Sequence, residues 1–284
     1  MLFGTAGWDY ADWAGVVYPP GRGIDRLAAT ARFVDLLEVN ATFYALPGER
    51  TVSSWATRGA RAGVRFAVKA PRRLTHEEHE PLDTDLARRF GALLAPLRDA
   101  GLLVAVLLQF PHRFHRERPN ARRVARLAEL LDELPLVVEF RHRSWLTDRV
   151  LSWCERHGVA FCNVDQPAFP GTLPPTAVRT APLGYVRLHG RNRATWFARL
   201  DDRDRRYDYL YTDDDLRPWA ERIRRIAAGA EEVAVVANNH FRAQALAAVV
   251  RLRILLGDRD VPVPEPLLEV DPGLRELPVR PVPP

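Results

Sequence analysis

The sequence predicts an α/β fold, a single eight-stranded parallel β/α (TIM-like) barrel, and three features carry that prediction. Eight short apolar runs recur along the 284 residues, helical patterns separate most of them, and no single run reaches the length of a membrane span. A chain of this length suits one barrel of ~250 residues better than two small domains. Alternating strands and helices imply a parallel sheet with right-handed crossovers, and eight strands close it. The rival is an open doubly wound sheet. It would carry a glycine-rich turn after its first strand if it held a dinucleotide, and GTAG at Gly4–Gly7 lacks that spacing.

The expected strands are Leu2–Gly7, Leu36–Asn40, Arg65–Ala70, Ala105–Phe110, Leu136–Arg141, Ala160–Asp165, Tyr185–Gly190 and Val233–Asn239. Each is continuously apolar or rich in β-branched and aromatic residues, as a parallel strand buried on both faces should be. Between them, Asp25–Asp35 places Leu27, Ala28, Ala31 and Val34 on one helical face. Asp85–Leu97, Ala121–Leu134 and Leu146–Arg156 read alike. Thr212 precedes three aspartates that suit a helix N-terminus, and Phe241–Leu256 stops at Gly257, a C-cap residue. Gln166–Leu183 is proline-rich and shows no clear helix. The barrel is assigned to residues 1–257. The tail, 258–284, holds eight of the 23 prolines and is expected to lie extended on the barrel or in solvent.

The chain is mildly basic, with 41 Lys and Arg against 36 Asp and Glu and a net charge of +5. That favours an anionic partner, yet the charges are interspersed as on a solvated surface. The opening MLFGTAGWDY has neither a basic n-region nor a long apolar stretch, so a signal peptide is not expected and a cytoplasmic location is. Two cysteines, Cys154 and Cys162, are expected as free thiols.

Composition points to a site. Lys69 is the only lysine, and asparagine and glutamine are scarce; six of these ten residues (Asn40, Lys69, Gln109, Asn163, Asn238 and Asn239) fall at strand ends. Four strands finish polar-apolar-polar: Glu38-Val39-Asn40, Glu139-Phe140-Arg141, Asn163-Val164-Asp165 and Arg187-Leu188-His189. Side chains alternate across a strand, so each polar pair shares one face. Because the outer face of a barrel meets helices, every pair is expected to face the axis at the C-terminal mouth, where barrel enzymes keep their sites. Three acids (Glu38, Glu139, Asp165) and three cations (Lys69, Arg141, Arg187) would pair there. The plain alternative is an ion-pair plug with no function.

Aromatic residues are expected around the same end. Trp8, Tyr10 and Trp13 follow the first strand, Phe43 and Tyr44 the second. The long segment Arg191–Tyr211 carries Trp196, Phe197, Tyr207, Tyr209 and Tyr211 among arginines. Such a loop suits stacking on sugars or bases and contact with phosphate, or closes as a lid over its own aromatics.

The ordered motifs GWDYADW (Gly7–Trp13), YPPG (Tyr18–Gly21), EVNATFY (Glu38–Tyr44), FAVKAP (Phe66–Pro71), LLQFP (Leu107–Pro111), VEFRHRSW (Val138–Trp145), VRLHGRN (Val186–Asn192), RYDYLY (Arg206–Tyr211) and NNH (Asn238–His240) resemble the YecE-like family, domain of unknown function seventy-two. The resemblance runs from the first strand to the last helix. It implies a barrel related to xylose-isomerase-like and endonuclease-like barrels, and no established reaction. Ala237 and Ala41 depart from the family pattern, which favours an aromatic residue and a serine there; both change pocket shape without removing a charge.

The chemistry expected is acid/base catalysis on a polar anionic substrate, phosphorylated or carbohydrate-like. Glu38, Lys69, Glu139, Asp165 and His189 are the candidate catalytic residues. Trp8, Tyr10, Asn40, Tyr44, Gln109, Arg141, Asn163, Arg187, Asn238, Asn239 and His240 are the candidate binding residues. Glu139 or Glu38 would act as base or acid, Lys69 and Arg141 would hold an anion, and His189 would shuttle a proton near neutral pH. Lys69 is alternatively a Schiff-base nucleophile, since burial near Arg141 would lower its pKa. Nucleic acid is the alternative partner, with phosphodiester cleavage or binding at the same face, and a non-catalytic small-molecule binder is a third class. No cofactor is expected. Glu38, Glu139, Asp165, His189 and His240 are suitable metal-ligand types, but three cations in the same mouth would repel a metal, so none is assigned and a divalent metal stays open. A membrane is not an expected partner, and the oligomeric state is left open.

Overall fold

The computed structural model describes residues 1–196 and 203–284. Eight strands close a parallel barrel in chain order: β1 (Leu2–Ala6), β2 (Leu36–Val39), β3 (Arg65–Lys69), β4 (Leu103–Gln109), β5 (Leu136–Glu139), β6 (Ala160–Asp165), β7 (Leu183–Leu188) and β8 (Glu232–Ala237). Closure is made by β1, which pairs with β2 through Gly4–Leu36 and with β8 through Gly4–Val236. Gly4 permits that closeness, because a Cβ there would lie 2.1 Å from the Leu36 carbonyl oxygen. The fold is the expected eight-stranded β/α barrel.

Among the described residues seven helices of six residues or more follow the strands: α1 (Arg26–Ala31), α2 (Glu49–Ala62), α3 (Thr84–Leu93), α4 (Arg118–Leu130), α5 (Asp148–Arg156), α6 (Asp213–Ala227) and α7 (Gln244–Leu256). Side chains start several of them. Asp25 accepts from the Ala28 amide, Asp83 from Leu86 and Thr147 from Val150, while Thr212 and Asp215 form a capping box. α7 ends at Gly257 in a left-handed conformation (φ 117°), the expected C-cap. α2 was not among the expected helices. Its arginines and serines mask a buried stripe at Val52, Trp55, Ala56 and Gly59, the i, i+3, i+4, i+7 spacing.

Two apolar layers lie on either side of the sheet. Ala6, Leu36, Ala67, Leu107, Val137, Cys162, Val164, Tyr185 and Val236 fill the barrel lumen. Val39, Phe66, Val68, Leu108, Phe140, Leu188 and Val235 belong to the outer core beneath the helices. Parity along each strand then fixes the mouth. Two residues beyond a lumen residue come Glu38, Lys69, Gln109, Glu139, Arg187 and Asn238, so these point inward. Arg141 and His189 continue the same alternation.

On β6 the phase is reversed. Cys162 and Val164 fill the lumen, so Asn163 and Asp165 face outward, which corrects the axis-facing expectation for this pair. The segment outside β6 explains it. Five prolines between Gln166 and Leu183 exclude a helix, and no helix forms there, leaving backbone groups that need partners. Asn163 supplies them: its Nδ2 donates to the Val178 carbonyl (2.8 Å) and its Oδ1 accepts from the Val178 amide (2.8 Å) and the Thr176 hydroxyl (2.7 Å). A polar residue faces outward here because the proline-rich segment beside it presents backbone groups that Asn163 satisfies.

Residues 258–284 pack on the barrel. β9 (Val261–Pro264) pairs in parallel with β10 (Val279–Val282), and Val261, Val263, Leu267 and Leu274 are buried. Arg251 of α7 ties this segment down, donating to Asp271 (2.6 and 2.7 Å) and to Asp213 of α6 (2.6 Å). Among the described residues no helix is long and apolar enough to cross a membrane.

Candidate active site

The floor of the mouth is an ion-pair network in which Glu38, Glu139 and Arg187 are buried. Arg187 bridges two carboxylates, donating Nη2 to Glu38 (2.5 Å) and Nη1 to Glu139 (2.6 Å). Tyr185 donates its hydroxyl to the second oxygen of Glu38 (3.1 Å), and Arg141 Nε pairs with Glu139. Burial alone would raise the Glu139 pKa, but Arg141, Arg187 and His189 outweigh it and hold the carboxyl well below its usual range. Glu139 is therefore a fixed counter-ion, and the general-base role expected of it has no free carboxylate to act with near neutral pH.

His189 is fully buried above this floor. Its Nε2 lies 3.3 Å from Glu139 Oε1 and 2.9 Å from Arg141 Nη2, and its Nδ1 lies 2.9 Å from Asn238 Nδ2. Burial first and Arg141 next push the imidazole well below its ordinary pKa, and Glu139 does not compensate. The ring stays neutral through the physiological range. That corrects the expectation of a proton shuttle titrating near pH 7.

Lys69 differs from every other cation of the mouth. Among the described residues its ammonium makes no ion pair; it lies 4.0 Å from the centroid of the Phe43 ring, a cation–π contact. Burial, followed by Arg187 and then Arg141, lowers its pKa to about 7, against the opposing pull of Glu139 and Glu38. Behind Phe43 stands His76, edge-on at 4.8 Å and 3.5 Å from the Gln109 amide. Burial, then Lys69, drives the His76 pKa down to about 3. His76 was absent from the expected site because it lies beyond the third strand end, on the short helix Arg72–Thr75 and its cap.

Above the floor opens a cavity of about 1010 Å³. Trp8, Asn40, Lys69, Gln109, Arg141 and Asn238 line it, with Arg187 at its base and Tyr10, Tyr44 and His240 toward the rim. Gly7 bends the chain after β1 (φ 93°), and a Cβ there would meet the Tyr10 hydroxyl at 2.6 Å. That hydroxyl donates to the Ala6 carbonyl, and the Tyr10 ring stacks on His240 at 4.3 Å. Phe43 and Tyr207, expected among the aromatic residues at this end, also line the cavity, as do Trp55, Arg58 and Arg206, which were not assigned to it from sequence. Arg58 and Trp55 sit on α2, the helix the sequence pattern hid, and Arg206 and Tyr207 reach the rim only through the long segment after β7.

Glu38, Glu139 and His189 lie in the floor beneath the cavity, and three candidate residues, Asp165, Asn239 and Asn163, lie away from it. Asp165 accepts from Arg191 (3.0 Å), from the Trp219 indole (2.9 Å) and from the Tyr211 hydroxyl, all on the outer side of β6. Asn239 donates to the Tyr209 carbonyl (2.9 Å). Both fasten the arm after β7, where Tyr209 and Tyr211 are held, rather than facing the mouth. Asn163 is likewise an outward, structural contact. Trp196 lies 6.3 Å from His189, ring to ring, and Arg141 stands over it; Phe197 lies outside the described residues. The proposed ligand types do not converge either: Asp165 is on the far side of the strand and the two glutamates are taken by guanidinium groups. Among the described residues no group of three or more His, Cys, Asp or Glu side chains is placed to hold a metal ion.

Sequence and structural comparison agree with this architecture. The family model described as "Protein of unknown function DUF72" matches residues 2–269. The UPF0759 protein YunF of Bacillus subtilis is 28% identical over 254 residues, covering 84% of this chain and 89% of that protein. A DUF72 family protein from Thermotoga maritima superposes with a TM-score of 0.78 at 28% identity, over 90% of this chain and 99% of the other. One from Enterococcus faecalis shares the fold with a TM-score of 0.78 at 23% identity, over 90% and 95%. With its mouth motifs, its closed eight-stranded sheet and a match across nearly its whole length, this chain belongs to the DUF72 family.

Proposed function

We propose that the protein is a barrel enzyme for a small, polar, anionic substrate of phosphorylated or carbohydrate-like chemistry, and that Lys69 is its working acid–base or nucleophilic group. One observation carries the proposal: the chain's only lysine stands in the wall of a large mouth cavity with a pKa near 7 and no carboxylate partner among the described residues. An amine so placed is half deprotonated at neutral pH, where a solvent-exposed lysine is almost wholly charged. Its lone pair can add to a substrate carbonyl carbon; the resulting carbinolamine loses water to give an imine. In its protonated form the same amine, with Arg141 and Arg206 at the cavity wall, favours an anionic group. The glutamates supply the opposite need, holding the arginines in place without acting on substrate. A small molecule is favoured over a nucleic acid, whose backbone would meet Arg58 of the cavity wall already paired to Asp25.

A single lysine makes the test direct. Borohydride reduction in the presence of a panel of sugar phosphates, keto acids and aldoses should fix a mass adduct on the peptide containing Lys69, and K69R should take none. Absence of an adduct across the panel, together with a Lys69 pKa above 10 by NMR of the ¹³C-methylated amine, overturns the proposal. Retention of a panel compound without turnover or adduct would make the protein a binder and not an enzyme.

A further inference from the structure

We infer that the flank of the barrel carries a second ligand site, between α4 and α5, built for a small aromatic phosphate of the chemistry of a nucleoside monophosphate. A cavity of about 500 Å³ opens there and shares no lining residue with the mouth. Its floor is apolar: Phe140 on the outer face of β5, Trp145 and Val150, all buried. Trp153 forms part of the wall. Four arginines surround this floor, Arg116 and Arg118 from the start of α4 and Arg149 and Arg156 from α5, against a single carboxylate, Glu117.

Three physical facts favour an anion with an aromatic body. Among the described residues none of the four exposed guanidinium groups forms an ion pair, so each is open to a ligand. Guanidinium forks bind phosphate oxygens two at a time, and several around one concavity suit a doubly charged group. α4 is 13 residues long and its N-cap, Glu117, makes no side-chain hydrogen bond; Pro119 removes one first-turn amide, and the remaining ones add partial positive charge at the same place. The half-buried Trp153 in the wall, backed by the apolar floor, does nothing for a bare inorganic anion, but it offers a face to a planar ring. The size is within the range of small-molecule pockets.

Calorimetric titration of the full-length protein with adenosine monophosphate, adenosine and inorganic phosphate tests the inference, with Lys69 as an independent reporter. The nucleotide should bind at least tenfold tighter than either half of it. R149A/R156A should weaken that binding at least tenfold, and the ¹³C-methyl resonance of Lys69 should not move on saturation. Both arginines are exposed, so the variant is expected to keep the wild-type melting temperature. Equal affinity for inorganic phosphate, binding unchanged in R149A/R156A, a shift of the Lys69 resonance showing occupancy of the mouth instead, or preference for an oligonucleotide or acidic peptide over the mononucleotide would each overturn it.

Discussion

Replacing Arg187 by methionine keeps most of the side chain's volume and removes the charge that joins Glu38 to Glu139. In the native chain all three are buried, with contacts of 2.5 and 2.6 Å. Glu38 then loses its only cation among the described residues, whereas Glu139 keeps Arg141. Removing one member of a buried ion pair costs about 3–5 kcal/mol, because the remaining charge stays desolvated. At 284 residues the unfolding entropy is about 0.6 kcal/mol/K, so R187M should melt about 5–8 °C below the wild type in differential scanning calorimetry at pH 7. Adding E38Q should restore at least half of the loss, since the orphaned carboxylate becomes a neutral amide that still accepts from Tyr185. A loss under about 1 kcal/mol, or no recovery with E38Q, would refute a buried, ionised floor.

Two further outcomes follow from the geometry. Lys69 has its folded-state pKa lowered to about 7, so between there and its unfolded value of about 10.4 the unfolded chain holds more protons and stability rises with pH. K69M should therefore stabilise the protein most below pH 7, with the gain in melting temperature shrinking steadily toward pH 10; a gain independent of pH contradicts the lowered pKa. Asn163→Ala removes the amide that holds the Val178 backbone on both sides. It should cost about 1–3 kcal/mol, from the half-buried Val178 groups left without a partner, and hydrogen exchange at Val178 should accelerate far more than at Val186 in β7. Equal acceleration at both amides would mean global destabilisation rather than release of one segment.

Much of the site was legible from period alone. Glu38, Lys69, Gln109, Glu139, Arg141, Arg187, His189 and Asn238 occur at alternate positions of strands with apolar neighbours, and that alternation places them on one face. Their ionisation was not legible. Glu139 and His189 are ordinary acid–base residues in sequence, and only the distances to Arg141 and Arg187 hold one charged and the other neutral. Lys69 stood out as the single lysine, but its release from any carboxylate is a property of where Phe43 and His76 sit, on segments beyond the strand.

The sequence by itself determined the number of strands, their order and which residues share a face, because these depend on local periodicity and chain connectivity. It did not determine phase. Asn163-Val164-Asp165 has the same polar-apolar-polar pattern as the other strand ends, yet it points the opposite way. An alternating pattern states that two residues face together and not which side they face. The side was decided by what covers each strand in three dimensions: Phe140 stacks on Trp145 and Phe110 outside β5 and leaves Glu139 and Arg141 inward, while the proline-rich segment and Trp219 of α6 outside β6 offer hydrogen bonds that turn Asn163 and Asp165 out.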